Sequence, residues 1–247
     1  MTALSGSVAL VTGASRGIGQ AVAVALAREG AHVVATARTQ GGLEETDDLV
    51  RAARGKATLL PLDLRDGKQV DAIGPSLFNR FGRLDVLVHC AAVLGKLTPV
   101  PHIMDADWDE VIATNVGGTL RVIRTTAPLL TRAEAGRAVF LTDHRARAPA
   151  AYWGEYAATK AAAEHLVLTW AEEVRITPLR VNMFDPGVVA TRLRRQAFPG
   201  EDATALRRPG DVADAVVALC LPGETRHAEV VAAQAVTAAE LAVSQHR

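Results

Sequence analysis

The sequence predicts an α/β fold, a doubly wound parallel sheet of about seven strands with helices on both faces. Short β-branched apolar runs alternate with Ala/Leu-rich stretches of helical periodicity, and this alternation is typical of βαβ units. Right-handed crossovers between such units place the ligand crevice at the carboxyl ends of the strands. No repeat, low-complexity tract or long Pro/Gly linker divides the sequence, so residues 1–247 are expected to form a single domain.

Strands are predicted where short apolar runs rich in β-branched residues are bounded by turn or charged residues. They are expected at residues 8–11, 33–36, 58–61, 86–88, 138–141, 180–184 and 229–231. Helices are predicted in the Ala- and Leu-rich stretches between them. They are expected at residues 18–29, 43–53, 67–81, 108–132, 153–174 and 211–219. The last strand can continue over 229–234, and residues 236–247 are expected to form a short helix or a tail.

The composition excludes several classes of function. The chain has 27 Lys and Arg against 27 Asp and Glu, so it has no net field for a polyanion, and nucleic-acid binding is not expected. An apolar fraction of 49% with 22% charged residues is that of a globular protein. Cys90 and Cys220 lie far apart, without the spacing of a disulfide framework or a zinc site. Because no signal peptide and no apolar run of roughly 18 residues is present, we expect a cytoplasmic protein that binds neither metal nor membrane.

A glycine-rich turn directly follows the first predicted strand and opens the first helix. Glycines there permit a tight turn and let backbone N–H groups approach a pyrophosphate, which the helix N-terminus favours electrostatically. Such a turn also occurs as a plain connector, but its place between strand and helix favours a dinucleotide site. The candidate cofactor contacts in this turn are Gly13, Ser15, Arg16, Gly17, Ile18 and Gly19.

The end of the second strand indicates which dinucleotide is bound. A site for NAD normally has an acidic residue there to hold the ribose hydroxyls, whereas this chain has Ala37-Arg38. Arg38 and Arg16 together can grip a 2′-phosphate through charge-assisted bonds. The alternative is that both arginines are solvated surface residues. The missing acid favours NADP(H) over NAD(H).

Tyr156 and Lys160 are four residues apart on a predicted helix, so they project from the same face. A nearby cation favours phenolate, which lowers the tyrosine pKa towards a value where it exchanges a proton at neutral pH. Tyr152, the other tyrosine, has no lysine at the corresponding position. Taken alone, the pair also fits a surface lysine beside a core tyrosine.

The motifs together resemble the short-chain dehydrogenase/reductase family over essentially the whole chain. Trp153-Gly154-Glu155-Tyr156 and Ala197-Phe198-Pro199 resemble in particular a poorly characterised bacterial subgroup of reductases. In order, the matching residues are Gly13, Gly17, Gly19, Asp63, Asn115, Tyr156, Lys160 and the run Pro186-Gly187-Val188-Val189-Ala190-Thr191.

The resemblance implies a hydride transfer between nicotinamide and a carbonyl or alcohol substrate. Tyr156 would act as acid/base, Lys160 would bind the nicotinamide ribose and lower the tyrosine pKa, and Asn115 would hold the helix carbonyl and water of a proton relay. The other contacts to the cofactor would come from Asp63 and Leu64 at the adenine, the Cys90-Ala91-Ala92 segment, the Pro186-Gly187 turn, and Val189 and Thr191 at the carboxamide. Related proteins are homodimers or homotetramers that pair the Asn115 and Tyr156 helices, and they close a lid over the substrate, here 192–208.

One departure from the family pattern lies in the active site. The family usually has a serine thirteen residues before the tyrosine, and this chain has Asp143 there. An ionised carboxylate only accepts hydrogen bonds, so it cannot stabilise a developing alkoxide. We therefore expect turnover of simple ketones to be impaired.

Three arrangements would restore function. Thr142 takes over the role of the serine, which requires a bulge because neighbouring strand residues face opposite sides. Alternatively, Asp143 stays protonated in a dry pocket and donates. In the third arrangement His144, Arg145 or Arg147 neutralises Asp143, and the site takes a cationic or polyhydroxylated substrate.

Two further departures leave a second function open. His89-Cys90-Ala91-Ala92 stands where the family usually has an Asn-Ala-Gly ending, and Cys90 fits a packing role better than a reactive one. The predicted lid has five arginines against two acidic residues, which fits either an anionic substrate or a solvated basic face. The alternative function is a redox-impaired protein of the same fold that keeps the cofactor and acts as a nucleotide-dependent binding or regulatory module.

Overall fold

The apolar runs form one parallel sheet in the computed structural model, which describes residues 2–233. The strand order is β3-β2-β1-β4-β5-β6-β7, and every neighbouring pair is parallel. The prediction of a seven-stranded, Rossmann-like doubly wound sheet is confirmed. The strands are β1 (Val8–Thr12), β2 (His32–Ala37), β3 (Lys56–Pro61), β4 (Val86–His89), β5 (Arg137–Leu141), β6 (Arg180–Asp185) and β7 (Val230–Ala232).

Helices cover both faces of the sheet. They are α1 (Gly17–Arg28), α2 (Gln40–Ala52), α3 (Gly67–Asp71), α4 (Ile73–Phe81), α5 (Asp105–Ile112), α6 (Gly118–Arg132), α7 (Gly154–Glu173), α8 (Arg192–Ala197) and α9 (Pro209–Ala218). Successive strand residues face opposite sides, so Val11 packs in a core with α1 and α9, whereas Leu10 packs in a second core with α4, α6 and α7. Each fully buried Val or Leu side chain stabilises the folded state by about 1.5–3 kcal/mol relative to the exposed side chain.

The single helix predicted at 67–81 is two helices, α3 and α4. Pro75 lacks an N–H group, and its ring clashes with the carbonyl four residues earlier, which belongs to Asp71. That carbonyl accepts a hydrogen bond from Thr125 Oγ1 at 3.1 Å instead, and the same hydroxyl accepts from Gly74 N at 2.9 Å. The break therefore anchors both short helices on α6.

The helix predicted at 108–132 begins earlier and changes its winding. It starts at Asp105, where two acidic residues in the first turn favour the helix N-terminus. Between α5 and α6 the chain makes a π-helical turn, Ala113–Gly117. Asn115 lies in this turn, and such π turns are frequent at functional sites.

The remaining differences lie near the C-terminal part. The segment 192–208, predicted as a lid, contains α8, which was not predicted. The last strand begins at Val230, and Gln234 and residues 236–247 lie outside the described residues. Within residues 2–233, no helix is both long and apolar enough to span a bilayer.

Candidate active site

The chemically distinctive residues follow strands that are neighbours in the sheet. Thr12 of β1 pairs with His89 of β4, which pairs with Phe140 of β5, which pairs with Met183 of β6. Because all strands are parallel, the loops that follow these residues emerge at the same edge of the sheet. This edge therefore brings together the glycine turn, the Cys90-Ala91-Ala92 segment, Asp143 and the Pro186-Gly187 turn.

The glycine turn forms a closed backbone cradle. Gly13 and Gly17 have φ angles of 66° and 58°, a region that side chains disfavour. A methyl group at Gly13 would lie 2.8 Å from Ala91 N, and one at Gly19 would overlap the Gly13 carbonyl oxygen. The N-cap residue of α1, which follows this turn, is Arg16, and among the described residues its side chain makes no capping hydrogen bond. Uncapped N–H groups and a side-chain-free surface fit the pyrophosphate of a dinucleotide.

Two arginines flank the carboxyl end of β2, where an acidic residue would hold ribose hydroxyls. Arg16 Nη2 donates to Thr39 Oγ1 at 3.2 Å, and Arg38 Nη1 lies 3.9 Å from Glu110 Oε1. The Arg38 and Glu110 side chains are each about half exposed, so this ion pair is weak. Guanidinium groups of this kind can bind a phosphate group, and which dinucleotide they favour stays a prediction.

The loop after β3 places Asp63 and Leu64 near the same edge. Arg65 holds the Asp63 carboxylate with hydrogen bonds of 2.7–3.1 Å and thereby lowers the pKa of Asp63. The Leu64 side chain packs against Gly118, and its carbonyl accepts from Arg121 Nη1 at 3.2 Å. Both residues are thus held in place by neighbours in the protein.

Tyr156 and Lys160 lie on α7 and are both buried, with 5% and 7% of their surface exposed. Lys160 Nζ donates to the Leu141 carbonyl at 2.6 Å, and burial lowers its pKa. Burial first, and then the charges of Asp143 and Asp185, raise the pKa of Tyr156 well above its usual value. Burial and the two carboxylates set the direction of the net shift, and the expected lowering of the tyrosine pKa by Lys160 stays a prediction. Tyr156 stays protonated.

Asp143 lies beside the Tyr156 hydroxyl. Asp143 Oδ2 is 3.5 Å from Tyr156 Oη, while Oδ1 accepts from Arg145 N at 2.9 Å and lies 3.1 Å from His144 Nδ1. Burial on its own would raise the pKa of Asp143, but the hydrogen bonds from His144 and Arg145 N, together with the charges of His144 and Lys160, outweigh it and lower the pKa. The carboxylate is therefore ionised, and the protonated arrangement is not the one that the structure supports.

The contacts of Thr142 and Arg147 bear on the other two arrangements, in which Thr142 replaces the serine or a neighbouring cation neutralises Asp143. Thr142 Oγ1 donates to Glu164 Oε2 at 2.7 Å, so its hydroxyl is engaged on α7. Arg147 bonds to Glu164 Oε2 at 2.7 Å and to Asp185 Oδ2 at 2.8 Å, so it does not pair with Asp143. The contacts of Asp143 are thus to His144, to the Arg145 backbone and, at 3.5 Å, to the Tyr156 hydroxyl.

The cluster of Arg147, Glu164 and Asp185 was not predicted from the sequence. Glu164 and Asp185 are buried, and Asp185 Oδ1 also accepts from Gly187 N at 3.0 Å. The cluster therefore ties the loop after β5 to the tyrosine helix and to the turn after β6. A signal was present, since Glu164 lies eight residues after Tyr156 on the same helical face.

Asn115 connects the π turn to two neighbouring segments. Its Oδ1 accepts from Val93 N at 2.8 Å, and its Nδ2 donates to Val93 O at 2.9 Å and to Thr159 Oγ1 at 3.0 Å. Its carbonyl accepts from Thr119 Oγ1 at 2.7 Å. The side chain thus fixes the loop after β4 against α7, and the proton-relay role stays a prediction.

His89, just before Cys90, connects β1 to α6, and this role was not predicted from the sequence. Its Nδ1 lies 2.9 Å from Thr12 Oγ1 and its Nε2 lies 3.1 Å from Thr119 Oγ1. Burial lowers the pKa of His89 to about 3, so the ring is neutral. Burial also raises the pKa of the Cys90 thiol to about 12, which fits packing rather than nucleophilic chemistry.

The turn after β6 meets the glycine turn. Gly187 has a φ angle of 65°, and a methyl group at Gly17 would lie 3.6 Å from Thr191 Cγ2. Val189 is buried and forms an isolated bridge with Arg207, while Thr191 Oγ1 accepts from Arg194 N at 3.1 Å at the start of α8. Thr191 therefore links this edge of the sheet to the segment predicted as a lid.

Aromatic side chains line the mouth of the site. The Trp153 ring centre is 5.8 Å from that of Tyr156 and 5.9 Å from that of Phe198, and the Arg145 guanidinium lies over the Trp153 ring at 5.1 Å. Arg194 stacks on Phe198 at 3.7 Å and pairs with Glu201. Part of the positive charge counted in the lid is thus paired. Beside Trp153 lies a groove of about 490 Å³, lined by residues that include Pro99, Val100, Pro149, Tyr152 and Ala157.

Comparisons with known proteins agree with this geometry. A protein-family model described as short chain dehydrogenase matches residues 7–202. The Escherichia coli K12 protein named uncharacterized oxidoreductase YciK is 32% identical over 199 residues, which cover 79% of each chain. A Shigella flexneri short chain dehydrogenase solved with NADP is 30% identical with a TM-score of 0.90, covering 95% of this chain and 99% of that one. An Escherichia coli CFT073 homologue solved with NADPH is 30% identical with a TM-score of 0.89 and the same coverage.

Proposed function

This chain is an oxidoreductase of the short-chain dehydrogenase family, and from that premise we propose that it is NADP(H)-dependent and interconverts a carbonyl and an alcohol with Tyr156 as acid/base. The observation that carries the proposal is the position of Tyr156. It is buried on α7 beside Asp143, at the edge of the sheet where the loops after the strands emerge. The similar structures solved with NADP and NADPH support the choice of cofactor.

The dinucleotide would lie along the edge formed by the loops after β1 to β6. The glycine turn would hold the pyrophosphate, Arg16 and Arg38 the 2′-phosphate, and Asp63 with Leu64 the adenine. A bound nicotinamide dinucleotide supplies or accepts the hydride. The Cys90-Ala91-Ala92 segment, Pro186, Gly187, Val189 and Thr191 would orient the nicotinamide end.

Tyr156 moves the proton in this proposal. Its raised pKa keeps the proton on Oη, so the hydroxyl is the group that can donate to a carbonyl oxygen in the direction of reduction. Lys160, held by the Leu141 carbonyl, and Asn115, held by Val93, keep α7 and the loop after β4 in register with that hydroxyl. Their predicted contacts to ribose and relay water belong to the same proposal.

The surroundings of the site extend the proposal. We place the substrate under the lid of residues 192–208 and the protein in the cytoplasm, where its free thiols Cys90 and Cys220 are stable. We also propose a homodimer or homotetramer, because α7 presents the exposed small residues Ala158 and Ala162, which permit close helix contact. Light scattering of the purified protein measures the mass of the particle in solution and so tests whether it is a dimer or a tetramer.

A second candidate function follows from one observation. An ionised Asp143 beside Tyr156 opposes negative charge on a reacting oxygen, which favours a protein that binds the cofactor but turns over poorly. Such a protein would act as a nucleotide-dependent binding or regulatory module. The two candidates differ in turnover and agree in cofactor binding.

Cofactor choice is tested by fluorescence titration with NADPH and NADH. We expect NADPH to bind more tightly, and Arg16→Ala and Arg38→Ala each to weaken NADPH by about tenfold while leaving NADH unchanged, because one charge-assisted bond to phosphate is worth about 1.5 kcal/mol. Arg132→Ala, at the exposed end of α6, is the matched control. Equal affinity for both dinucleotides would contradict the preference, and binding of NADPH without turnover of any carbonyl would favour the second candidate.

A further inference from the structure

The two oxygens of Asp143 have different surroundings. Oδ1 accepts from Arg145 N at 2.9 Å and lies 3.1 Å from His144 Nδ1. Among the contacts of the described residues, Oδ2 has a single long one, 3.5 Å to Tyr156 Oη. Oδ2 is therefore an acceptor with spare capacity, placed beside the hydroxyl that faces the reacting group of the substrate.

The cations near this oxygen are engaged elsewhere. Arg147 bridges Glu164 and Asp185. The Arg145 guanidinium lies over the Trp153 ring, and Lys160 Nζ donates to a backbone carbonyl. None of these contacts is to Oδ2, and Arg145 Nε is buried without a hydrogen-bond partner among the described residues. The charges of His144 and Lys160 stabilise the carboxylate, while Oδ2 itself can accept a further hydrogen bond from the reacting group.

A carbonyl substrate is a poor match for this arrangement. Its oxygen only accepts hydrogen bonds and gains negative charge during reduction, so a carboxylate nearby opposes the reaction. A protonated carbon–nitrogen double bond is the opposite case, because its N–H donates and its nitrogen is positive. The carboxylate also favours the protonated form over the neutral imine, and the protonated form is the one whose carbon accepts a hydride readily.

We propose that the preferred substrate of this site contains a C=N bond and reacts as the iminium ion, with its N–H donating to Asp143 Oδ2. This inference rests on the proposed function and narrows its substrate class. The iminium carbon gains a C–H bond from one hydride, the C=N π electrons become the nitrogen lone pair, and the product is a neutral amine. The reductant is a reduced nicotinamide dinucleotide, which gives up one hydride, that is, one proton with two electrons, and becomes the oxidised dinucleotide. No proton is consumed in the step, because the nitrogen already carries it.

Ligand binding tests the inference without turnover. Tetrahydroisoquinoline, a cation at neutral pH, and isochroman, its neutral oxygen analogue, are titrated by calorimetry into the protein loaded with NADPH. We expect the cation to bind about tenfold more tightly, a difference of about 1.4 kcal/mol, and Asp143→Asn to remove the preference. Equal binding of the two ligands by the parent protein overturns the inference, and that comparison needs no variant.

Turnover gives the second readout. NADPH oxidation is measured with dihydroisoquinoline and with tetralone, a cyclic imine and a ketone of similar shape. We expect the imine to be the better substrate, and the ratio of their kcat/KM values to fall about tenfold or more in Asp143→Asn and Asp143→Ser. An unchanged ratio, or faster turnover of the ketone than of the imine by the parent protein, overturns the inference.

The outcomes separate this inference from the function on which it rests. Turnover of ketones without any preference for imine or cation overturns the inference and leaves the reductase proposal standing. Failure to bind NADPH, or binding without turnover of either substrate class, overturns both.

Discussion

Asp143 and Tyr156 have opposite protonation states although they lie 3.5 Å apart. His144 and Arg145 N stabilise the charge on Asp143, and the same charge, together with burial, keeps the proton on Tyr156. The pair therefore offers one donor and one acceptor to the substrate, where the usual serine and tyrosine offer two donors.

Replacing Asp143 tests whether its charge limits ketone reduction. A charge about 5 Å from a developing alkoxide opposes it by roughly 3 kcal/mol at an effective dielectric of 20. We expect Asp143→Ser to raise kcat/KM for ketones by about tenfold or more without changing the affinity for NADPH, because serine removes the charge and supplies a donor. Steady-state kinetics over a ketone panel measures this.

Asp143→Asn is the control for shape. It removes the charge at nearly constant volume and has an amide N–H₂ group that donates, so we expect an effect of the same sign. If neither variant is faster than the parent on any ketone of the panel, the charge of Asp143 is not what limits ketone reduction.

At the residue scale, the sequence pattern located Tyr156, Lys160 and Asp143 but not their electrostatics. Spacing shows that a lysine shares a face with a tyrosine, whereas the direction of the pKa shift depends on burial and on carboxylates from other elements. Asp185, which is distant from Tyr156 in the sequence, helps to raise the pKa of Tyr156, and only the fold brings the two side chains close together.

At the scale of elements, the ion cluster is what holds the active-site loop. Arg147 lies in the loop after β5, Glu164 on α7 and Asp185 at the end of β6, and Thr142 also donates to Glu164. Three elements that carry proposed active-site residues thus share one cation.

Arg147→Gln tests how much this shared cation stabilises the fold. The substitution leaves Glu164 and Asp185 buried without their positive partner, and we expect a loss of about 2 kcal/mol in the free energy of unfolding, because Arg147 itself is partly exposed. Urea denaturation measures this. The control is Arg175→Gln, which breaks the exposed pair with Glu172 and is expected to leave the free energy of unfolding almost unchanged. Equal losses in the two variants would show that the cluster contributes no more than a surface pair.

The helices show where hydrophobic periodicity stops being informative. It predicted one helix for α3 and α4, although Pro75 was a visible signal for the break. The π turn at Ala113–Gly117 has no comparable local signal, because its winding is maintained by tertiary bonds such as those of Asn115 to Val93 and Thr159. Element types follow from local pattern, and their exact limits follow from contacts that the pattern does not contain.

At the scale of the whole molecule, His89 couples stability to pH. It connects β1 and α6 through Thr12 and Thr119 in its neutral form, and burial holds its pKa at about 3 against an ordinary value of 6.5. The unfolded chain binds a proton below pH 6.5 and the folded chain does not until about pH 3. The stabilisation is therefore complete above pH 6.5 and is lost as the pH falls through this window.

His89→Gln tests this coupling, since glutamine keeps hydrogen-bonding capacity but does not titrate. Between pH 7 and pH 5 we expect the parent to lose about 2 kcal/mol more unfolding free energy than the variant. Urea denaturation at the two pH values measures the difference. Identical losses in parent and variant would mean that His89 does not titrate in this way.

The doubly wound parallel sheet was the most predictable feature of the molecule. Alternating βαβ units with right-handed crossovers leave few topologies, and the glycine turn after β1 places the cofactor edge. The side chains that line the entrance of the site were less predictable. Trp153, Phe198 and Arg145 are separated in the sequence, and their contacts depend on the folded chain.

The most direct measurement of the central claim compares NADPH oxidation by the parent, Tyr156→Phe and Tyr152→Phe over one panel of carbonyl and imine substrates. Tyr152 is the matched control, because it is the other tyrosine of the chain and is 57% exposed. We predict that the parent and Tyr152→Phe oxidise NADPH with at least one carbonyl, whereas Tyr156→Phe binds NADPH equally well and loses about 100-fold or more of that carbonyl activity. A Tyr156→Phe variant as active as the parent on carbonyls, or a parent that binds NADPH and turns over nothing in the panel, would contradict the account.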